Sequence, residues 1–220
     1  IILDLSRFGG QSRGAGWSWN DLPVCFTAPA GSAIINKNCA FAQLKTNGVG
    51  KPVQALIQGT PIALETEAYG VPENRYGADC ELYLNNHYRI SGCVPISKKG
   101  KPFPLSLAVS DPDQWAVDWT YKIFNQKKIE FSNIKVSHQA ITEYATLAYI
   151  ESKPLKELLR FMLFRSDNLY ADAIAKNIAA EYYKKPATYN RTVQAIRYIL
   201  HQYAGINLAN AYFVDGSGLS

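Results

Sequence analysis

Four cysteines, Cys25, Cys39, Cys80 and Cys93, constrain this chain more than any other feature, because they fall in two close sequential pairs. Four cysteines allow three disulfide connectivities. The stretch between Cys80 and Cys93, ELYLNNHYRISG, reads as two short alternating strands around a turn. With Asn86-His87 as a two-residue loop, Cys80 falls opposite Cys93 at a non-hydrogen-bonded site, where strands approach closely enough for a disulfide. Cys25 and Cys39 bracket FTAPAGSAIINKN, which reads as a similar strand, turn and strand. Two rivals stand beside the pairing Cys25–Cys39 and Cys80–Cys93. One is four unpaired buried thiols, since cysteine is often a core residue. The other is a zinc site, for which no C-x-x-C pair exists and histidine is scarce. Sequential disulfides imply an oxidising compartment, hence secretion or the periplasm.

Strand signals dominate residues 1 to about 150, with turns marked at Gly9-Gly10, Pro29 to Gly31, Asn47-Gly48, Pro72 to Asn74 and Asn85-Asn86. One helix interrupts them: Ser110-Asp111-Pro112 caps it, Trp115, Trp119 and Ile123 recur along one face, and Lys127-Lys128 closes it. After Tyr149 the pattern turns helical. Ser152 is placed to cap a helix whose apolar face is Leu155, Leu158, Leu159 and Met162. A second helix starts near Leu169 with Ala173, Ile174 and Ile178 inward. A third runs from Thr188 through Val193, Ile196 and Leu200 until Gly205 stops it. A short strand, Tyr212 to Val214, then leads into Asp215-Gly216. The expected organisation is a β-rich region over residues 1–150 joined to a helical segment over residues 151–220.

With 47% hydrophobic and 19% charged residues, the composition is that of an ordinary globular protein. The net charge of +5 comes from scattered basic residues. A nucleic-acid binder would gather them on a stripe or patch, so that class is disfavoured, whereas an anionic polymer or wall surface tolerates such a charge. No apolar run approaches the roughly 20 residues that cross a bilayer. IILDLSRF lacks the basic start and small-residue cleavage site of a signal peptide. It resembles a strand already under way, and the far end stops inside a Gly-rich turn, so the chain reads as a fragment of something longer.

The segment FRSDNLYAD sets Ser166, Asp167 and Asn168 behind the apolar run LLRFMLF, between two expected helices. Ser166 or Asp167 as a helix cap is the plain reading. S-x-N alone is weak, because Ser18-Trp19-Asn20 matches it too. The company it keeps is more specific. WSWNDLPVCFTAPAGSAIINKNCAF, the later cysteine pair, SDNLYAD and DGSGLS occur in one order along nearly the whole chain. In this the sequence closely resembles the D-alanyl-D-alanine carboxypeptidase/endopeptidase family, the low-molecular-mass class C penicillin-binding proteins.

The resemblance implies an α/β (α+β) fold of the serine β-lactamase/transpeptidase type, with residues 1–150 as a large β-rich insertion. It implies a serine DD-peptidase that cleaves peptidoglycan stem peptides ending in D-Ala-D-Ala through an acyl-enzyme, is acylated by β-lactams, and uses no metal or organic cofactor. Three elements surround the substrate in such enzymes: S-x-x-K with the nucleophile, S-x-N, and a K-T-G strand. Ser166 and Asn168 stand for the second. A serine hydroxyl relays a proton towards the departing amine, and an asparagine amide both donates and accepts. Asp215, Gly216, Ser217 and Gly218 would lie near the rim of the site, although a tight turn alone explains the glycines.

The other two elements are missing. No K-T-G occurs, and Lys45-Thr46-Asn47 has the wrong third residue. The sole S-x-x-K, Ser132-Asn133-Ile134-Lys135, continues into an alternating pattern, Ile134 and Val136 against Lys135 and Ser137. That is a strand pattern, in which residues three apart point to opposite faces. A nucleophile and its lysine need one helical turn between them. Ser132 is therefore not the expected nucleophile. In the resembled family the nucleophile precedes the inserted β-rich region, so the resemblance places it upstream of Ile1 and the K-T-G strand downstream of Ser220. Two other readings remain: a non-catalytic periplasmic peptidoglycan-binding protein on the same scaffold, and a generic secreted β-rich module, which gives no reason for S-D-N and D-G-S-G-L-S to co-occur.

Overall fold

Strand signals before residue 150 and helix signals after it resolve, in the computed structural model, into nine strands and four α-helices among the described residues, 1–85, 87–97 and 99–220. The strands are β1 (Ile2–Asp4), β2 (Cys39–Lys45), β3 (Gln54–Ile57), β4 (Glu65–Thr66), β5 (Tyr69–Val71), β6 (Leu82–Leu84), β7 (Arg89–Pro95), β8 (Phe103–Ala108) and β9 (Lys135–Ser137). The helices are α1 (Pro112–Gln126), α2 (Leu155–Arg165), α3 (Asn168–Tyr183) and α4 (Tyr189–Ala204). They form two compact units that interleave along the chain. One comprises Ile1–Ser18, Pro29–Lys37 and Asp111–Ser220; the other comprises Trp19–Ala28 and Asn38–Ser110. This division does not fall at residue 150, because β1, α1 and β9 group with the later helices.

The β-rich unit holds an antiparallel sheet in the order β3-β2-β8 and a second sheet in which β7 pairs with β4, β5 and β6. Along β2 the burial alternates from Ala40 onward, the period-2 signature of a sheet with one face covered. Leu44, Val53, Ala68, Ile90 and Val94 form its core. Both disulfides, Cys25–Cys39 and Cys80–Cys93, lie in this unit, with Cα separations of 5.5 and 6.1 Å.

The local structure around the cysteines differs from the simple hairpins expected. In the second pair the ladder is shifted by one residue, since Leu82 faces Gly92 rather than Ser91. Two backbone features accompany the shift. Tyr88 takes a φ of 60° beside the Asn85–Arg89 closure. Gly92 has a φ of 84°, and a Cβ there would lie 2.1 Å from the Glu81 carbonyl oxygen. Such a glycine bulge lets the Cys93 N–H bond Glu81 and keeps Cys93 in reach of Cys80. Asn86 of the expected two-residue loop lies outside the described residues. The stretch between Cys25 and Cys39 is not strand, turn and strand: it carries 3₁₀ turns at Cys25–Thr27 and Asn36–Asn38.

In the helical unit β1 and β9 pair in parallel, Ile2 with Lys135 through Asp4 with Ser137. Lys135 thus opens a strand and Ser132 sits in a bend before it, so S-x-x-K is not on a helix here. Asp111 caps α1, accepting from the N–H groups of Asp113 and Gln114, and Pro112 occupies the first turn. Helices α3 and α4 pack through small residues, with Phe8, Ala179, Ala180, Ala187 and Ala195 as their core. Thr188 caps α4 and Gly205 ends it at a φ of 66°.

Three expectations fail here. Pro154, not Ser152, precedes α2, and the Ser152 hydroxyl bonds the Lys153 carbonyl instead. Tyr212 to Val214 is not a strand. The buried face of α3 is Leu169, Asp172, Ala175, Lys176, Ala179 and Ala180, rather than the row of Ala173, Ile174 and Ile178. Hydrophobic periodicity assigned the wrong face because two of the buried residues are charged.

Candidate functional site

The turn between α2 and α3 carries S-D-N. Helix α2 ends at Arg165, and Ser166 takes the left-handed conformation, φ 50° and ψ 49°. The chain reversal is closed by the Ser166 N–H on Leu163 O (3.4 Å) and the Asp167 N–H on Met162 O (3.1 Å). Glycine usually fills such a position, because a Cβ there costs free energy. Ser166 keeps its Cβ, is exposed, and its hydroxyl makes no hydrogen bond among the described residues. The capping role falls to Asp167, whose Oδ1 accepts from the Tyr170 N–H at 3.1 Å. Asn168 is the first residue of α3 and is half-buried. Ser166 and Asn168 therefore flank a capping aspartate on one turn, and the serine is left available.

The other oxygen of Asp167, Oδ2, accepts from Lys37 Nζ at 2.7 Å. Phe161, one turn before the end of α2, and Tyr170, on the first turn of α3, pack with ring centroids 4.9 Å apart. Lys37 lies over both.

One turn along α3, Asp172 accepts from the Gly216 N–H (2.7 Å, Oδ1) and from the Tyr189 hydroxyl (3.1 Å, Oδ2). This fastens the D-G-S-G-L-S turn to α3. Only glycine fits, since a Cβ at Gly216 would stand 2.7 Å from Ala175 Cβ and 2.8 Å from Ala171 O. Asp215 organises the turn. Its Oδ1 accepts from the N–H groups of Ser217 (3.0 Å) and Gly218 (2.6 Å) and from the Ser217 hydroxyl. Its Oδ2 accepts from Trp17 Nε1 at 2.8 Å and from the Ser220 hydroxyl. Asp215, Gly216, Ser217 and Gly218 thus form a rigid turn fixed to the S-x-N helix.

Beside it Lys176 is buried, with Nζ donating to the carbonyls of Gln11 (3.1 Å) and Ala30 (3.0 Å) and lying 4.5 Å from the Tyr189 ring centroid. Burial pushes Asp172 up to about 6, with the Asp215 charge adding to the rise, against the Gly216 N–H, the Tyr189 hydroxyl and Lys176. Burial likewise lowers Lys176 to about 8, and the Asp172 charge resists. Burial raises Asp215 too, but hydrogen bonds from Ser220, Trp17, Gly218 and Ser217 outweigh it and hold that carboxyl below its usual value. Burial and the Asp172 charge raise the Tyr189 phenol.

Lys176 and Tyr189 were not singled out from the sequence, and Asp172, Trp17 and Lys37 stood there only as letters of the quoted motifs, with no role assigned. The available signal was D-x-x-x-K, Asp172 to Lys176, on a helix whose apolar row was incomplete; one turn apart, these residues share a face. Among the described residues no cluster of three or more His, Cys, Asp or Glu is arranged to hold a metal ion.

Comparison with known proteins gives a consistent result. Residues 1–220 match the family described as D-Ala-D-Ala carboxypeptidase 3 (S13). The chain is 35% identical, over its whole length, to D-alanyl-D-alanine carboxypeptidase DacB of Haemophilus influenzae, of which it covers 46%. It is 40% identical over 164 residues to carboxypeptidase DacB of Mycolicibacterium smegmatis, covering 74% of this chain and 35% of that protein. The crystal structure of penicillin binding protein 4 (dacB) from H. influenzae superposes with a TM-score of 0.88 at 36% identity, over 100% of this chain and 49% of that one. A second structure of that protein, complexed with a β-lactam, gives a TM-score of 0.78 at 31% identity, over 90% of this chain and 46% of that one. The chain spans about half the length of the H. influenzae relative it matches.

Proposed function

Because the chain belongs to the D-Ala-D-Ala carboxypeptidase 3 (S13) family, we propose that it is the middle portion of a periplasmic serine peptidase. This enzyme removes the terminal D-Ala, or opens a peptide cross-link, in peptidoglycan through an acyl-enzyme, and β-lactams acylate the same serine. The observation that carries this reading is the α2–α3 turn. It holds an exposed hydroxyl at Ser166 in a left-handed conformation and spends Asp167, not Ser166, on capping the next helix.

Each side chain then has a task. The Ser166 hydroxyl passes a proton to the departing D-alanine nitrogen and recovers one from the attacking water in deacylation. The Asn168 amide donates to the substrate carbonyl and accepts from the nucleophile's lysine. The D-G-S-G-L-S turn, locked to α3 through Asp172, contributes the rim. The nucleophile on S-x-x-K comes from before Ile1 and the K-T-G strand from after Ser220, so the 220 residues alone are inactive. The two disulfides support an exported protein. No step requires a metal or organic cofactor.

The test is D-alanine release from a stem peptide ending in D-Ala-D-Ala by the whole protein. The expected result is release that one equivalent of penicillin abolishes. Tight binding of the peptide without release would overturn the reading in favour of a non-catalytic peptidoglycan-binding protein.

A further inference from the structure

We infer that Lys37 is a positioning residue for the S-D-N turn, a role that rests on the catalytic reading of that turn. Three contacts converge on its ammonium. It donates to Asp167 Oδ2 at 2.7 Å, it stands 4.8 Å from the centroid of Phe161, and 5.8 Å from that of Tyr170. Phe161 lies one turn before the end of α2, Tyr170 lies in the first turn of α3, and Asp167 is the residue between Ser166 and Asn168. One cation is thus shared by both walls of the turn and its middle residue. Ammonium over aromatic faces is attracted by the ring quadrupole, so the lysine also holds the two rings together.

The carboxylate geometry shows what this does for the site. Asp167 divides its oxygens: Oδ1 takes the Tyr170 N–H and Oδ2 takes Lys37. A carboxylate with a separate donor on each oxygen has a fixed rotamer. A cap alone leaves the second oxygen to water and the side chain free to rock about the first bond. Asp167 joins Ser166 to Asn168 in the chain, so tying its carboxylate to both Tyr170 and Lys37 holds the stretch of backbone that carries the two side chains.

The backbone around Lys37 points the same way. Asn36, Lys37 and Asn38 have φ values of 49, 59 and 46°. Asparagine tolerates the left-handed region, but lysine does so only at a cost. A strained residue persists where its surroundings over-determine it, and strain of this kind gathers at functional sites. Here it aims the one lysine of the segment at Asp167.

An ion pair in which Lys37 is about half exposed adds little to global stability. The consequence therefore falls on rate rather than on folding. In the whole protein, Lys37→Met keeps an apolar stem over the rings and removes the charge, while Lys37→Arg keeps the charge. Stopped-flow acylation by a fluorescent penicillin separates binding from the chemical step. The expected result is a 10- to 100-fold slower chemical step for Lys37→Met, the order that misplacing a catalytic group costs, with penicillin binding and melting temperature nearly unchanged. Lys37→Arg should restore most of the rate, and Lys37→Met added to Asp167→Asn should slow it no further than Asp167→Asn alone. A wild-type rate in Lys37→Met, an equal loss in Lys37→Arg, or a loss matched by a falling melting temperature overturns the inference. Failure of the wild-type protein to be acylated at all would refute the catalytic reading itself, a distinguishable outcome.

Discussion

Replacing Ser166 by glycine should stabilise the protein while slowing its chemistry, a combination that a capping serine cannot produce. The left-handed conformation at φ 50° costs a Cβ-bearing residue roughly 1–2 kcal/mol. Glycine escapes that cost but gives the unfolded chain extra freedom, worth roughly 0.4–1 kcal/mol in the other direction. The Ser166 hydroxyl has no hydrogen bond among the described residues, so none is lost. The net expectation is a gain of roughly 0.5–1 kcal/mol for Ser166→Gly. Ser166→Ala keeps the Cβ and its strain, and should stay within about 0.5 kcal/mol of wild type. Asp167→Ala, in contrast, removes the acceptor for Tyr170 and the partner of Lys37, and should cost about 1–2 kcal/mol. Melting curves of the whole protein and its three variants give the order, and penicillin acylation of the same samples gives the rate. Both Ser166 variants should acylate about 10²- to 10⁴-fold more slowly, the range of a lost proton relay. A destabilising Ser166→Gly, or a Ser166→Ala that loses about 1 kcal/mol and keeps its acylation rate, refutes the reasoning.

Asp172, with a folded-state pKa raised from 3.8 to about 6, stabilises the fold in its protonated form; this contribution is complete below 3.8 and is lost as pH climbs through about 6. The stability difference between wild type and Asp172→Asn should therefore move against wild type by about 1–3 kcal/mol from pH ~4 to ~6, and parallel profiles would contradict it. Lys176→Met strands the carbonyls of Gln11 and Ala30 and leaves Asp172 without a compensating charge, so unfolding should become easier by about 2–4 kcal/mol; unchanged stability in denaturant titration counts against the network. Non-reducing peptide mapping should recover Cys25–Cys39 and Cys80–Cys93 alone, each bridge constraining the unfolded chain by roughly 3 kcal/mol, and a crossed pair contradicts it.

Punctuation in the sequence located elements better than it located faces. Asp111-Pro112, Thr188 and Gly205 mark helix ends by local chemistry, and the structure places α1 and α4 at those marks. The face of α3 was not legible, because periodicity counts Asp172 and Lys176 as outward residues. Their burial depends on partners distant in sequence: Gly216 and Tyr189 for one, Gln11 and Ala30 for the other. The register of β6 on β7 was missed for a local reason, the positive φ at Tyr88 and Gly92 that a two-residue loop does not require. S-D-N was readable as a turn between helices. Which of its residues caps was not, since serine and aspartate are equally suited until the backbone of Ser166 is known to be left-handed. Lys37 gave no signal, because its relation to Asp167 spans 130 positions.

The most direct test of the account is to map the serine that a labelled penicillin acylates in the whole protein, by intact mass and peptide analysis. One adduct per molecule is expected, on a serine followed three residues later by lysine and lying outside residues 1–220, with no adduct on the isolated 220-residue chain. An adduct on Ser132, or on any serine between Ile1 and Ser220, would contradict it.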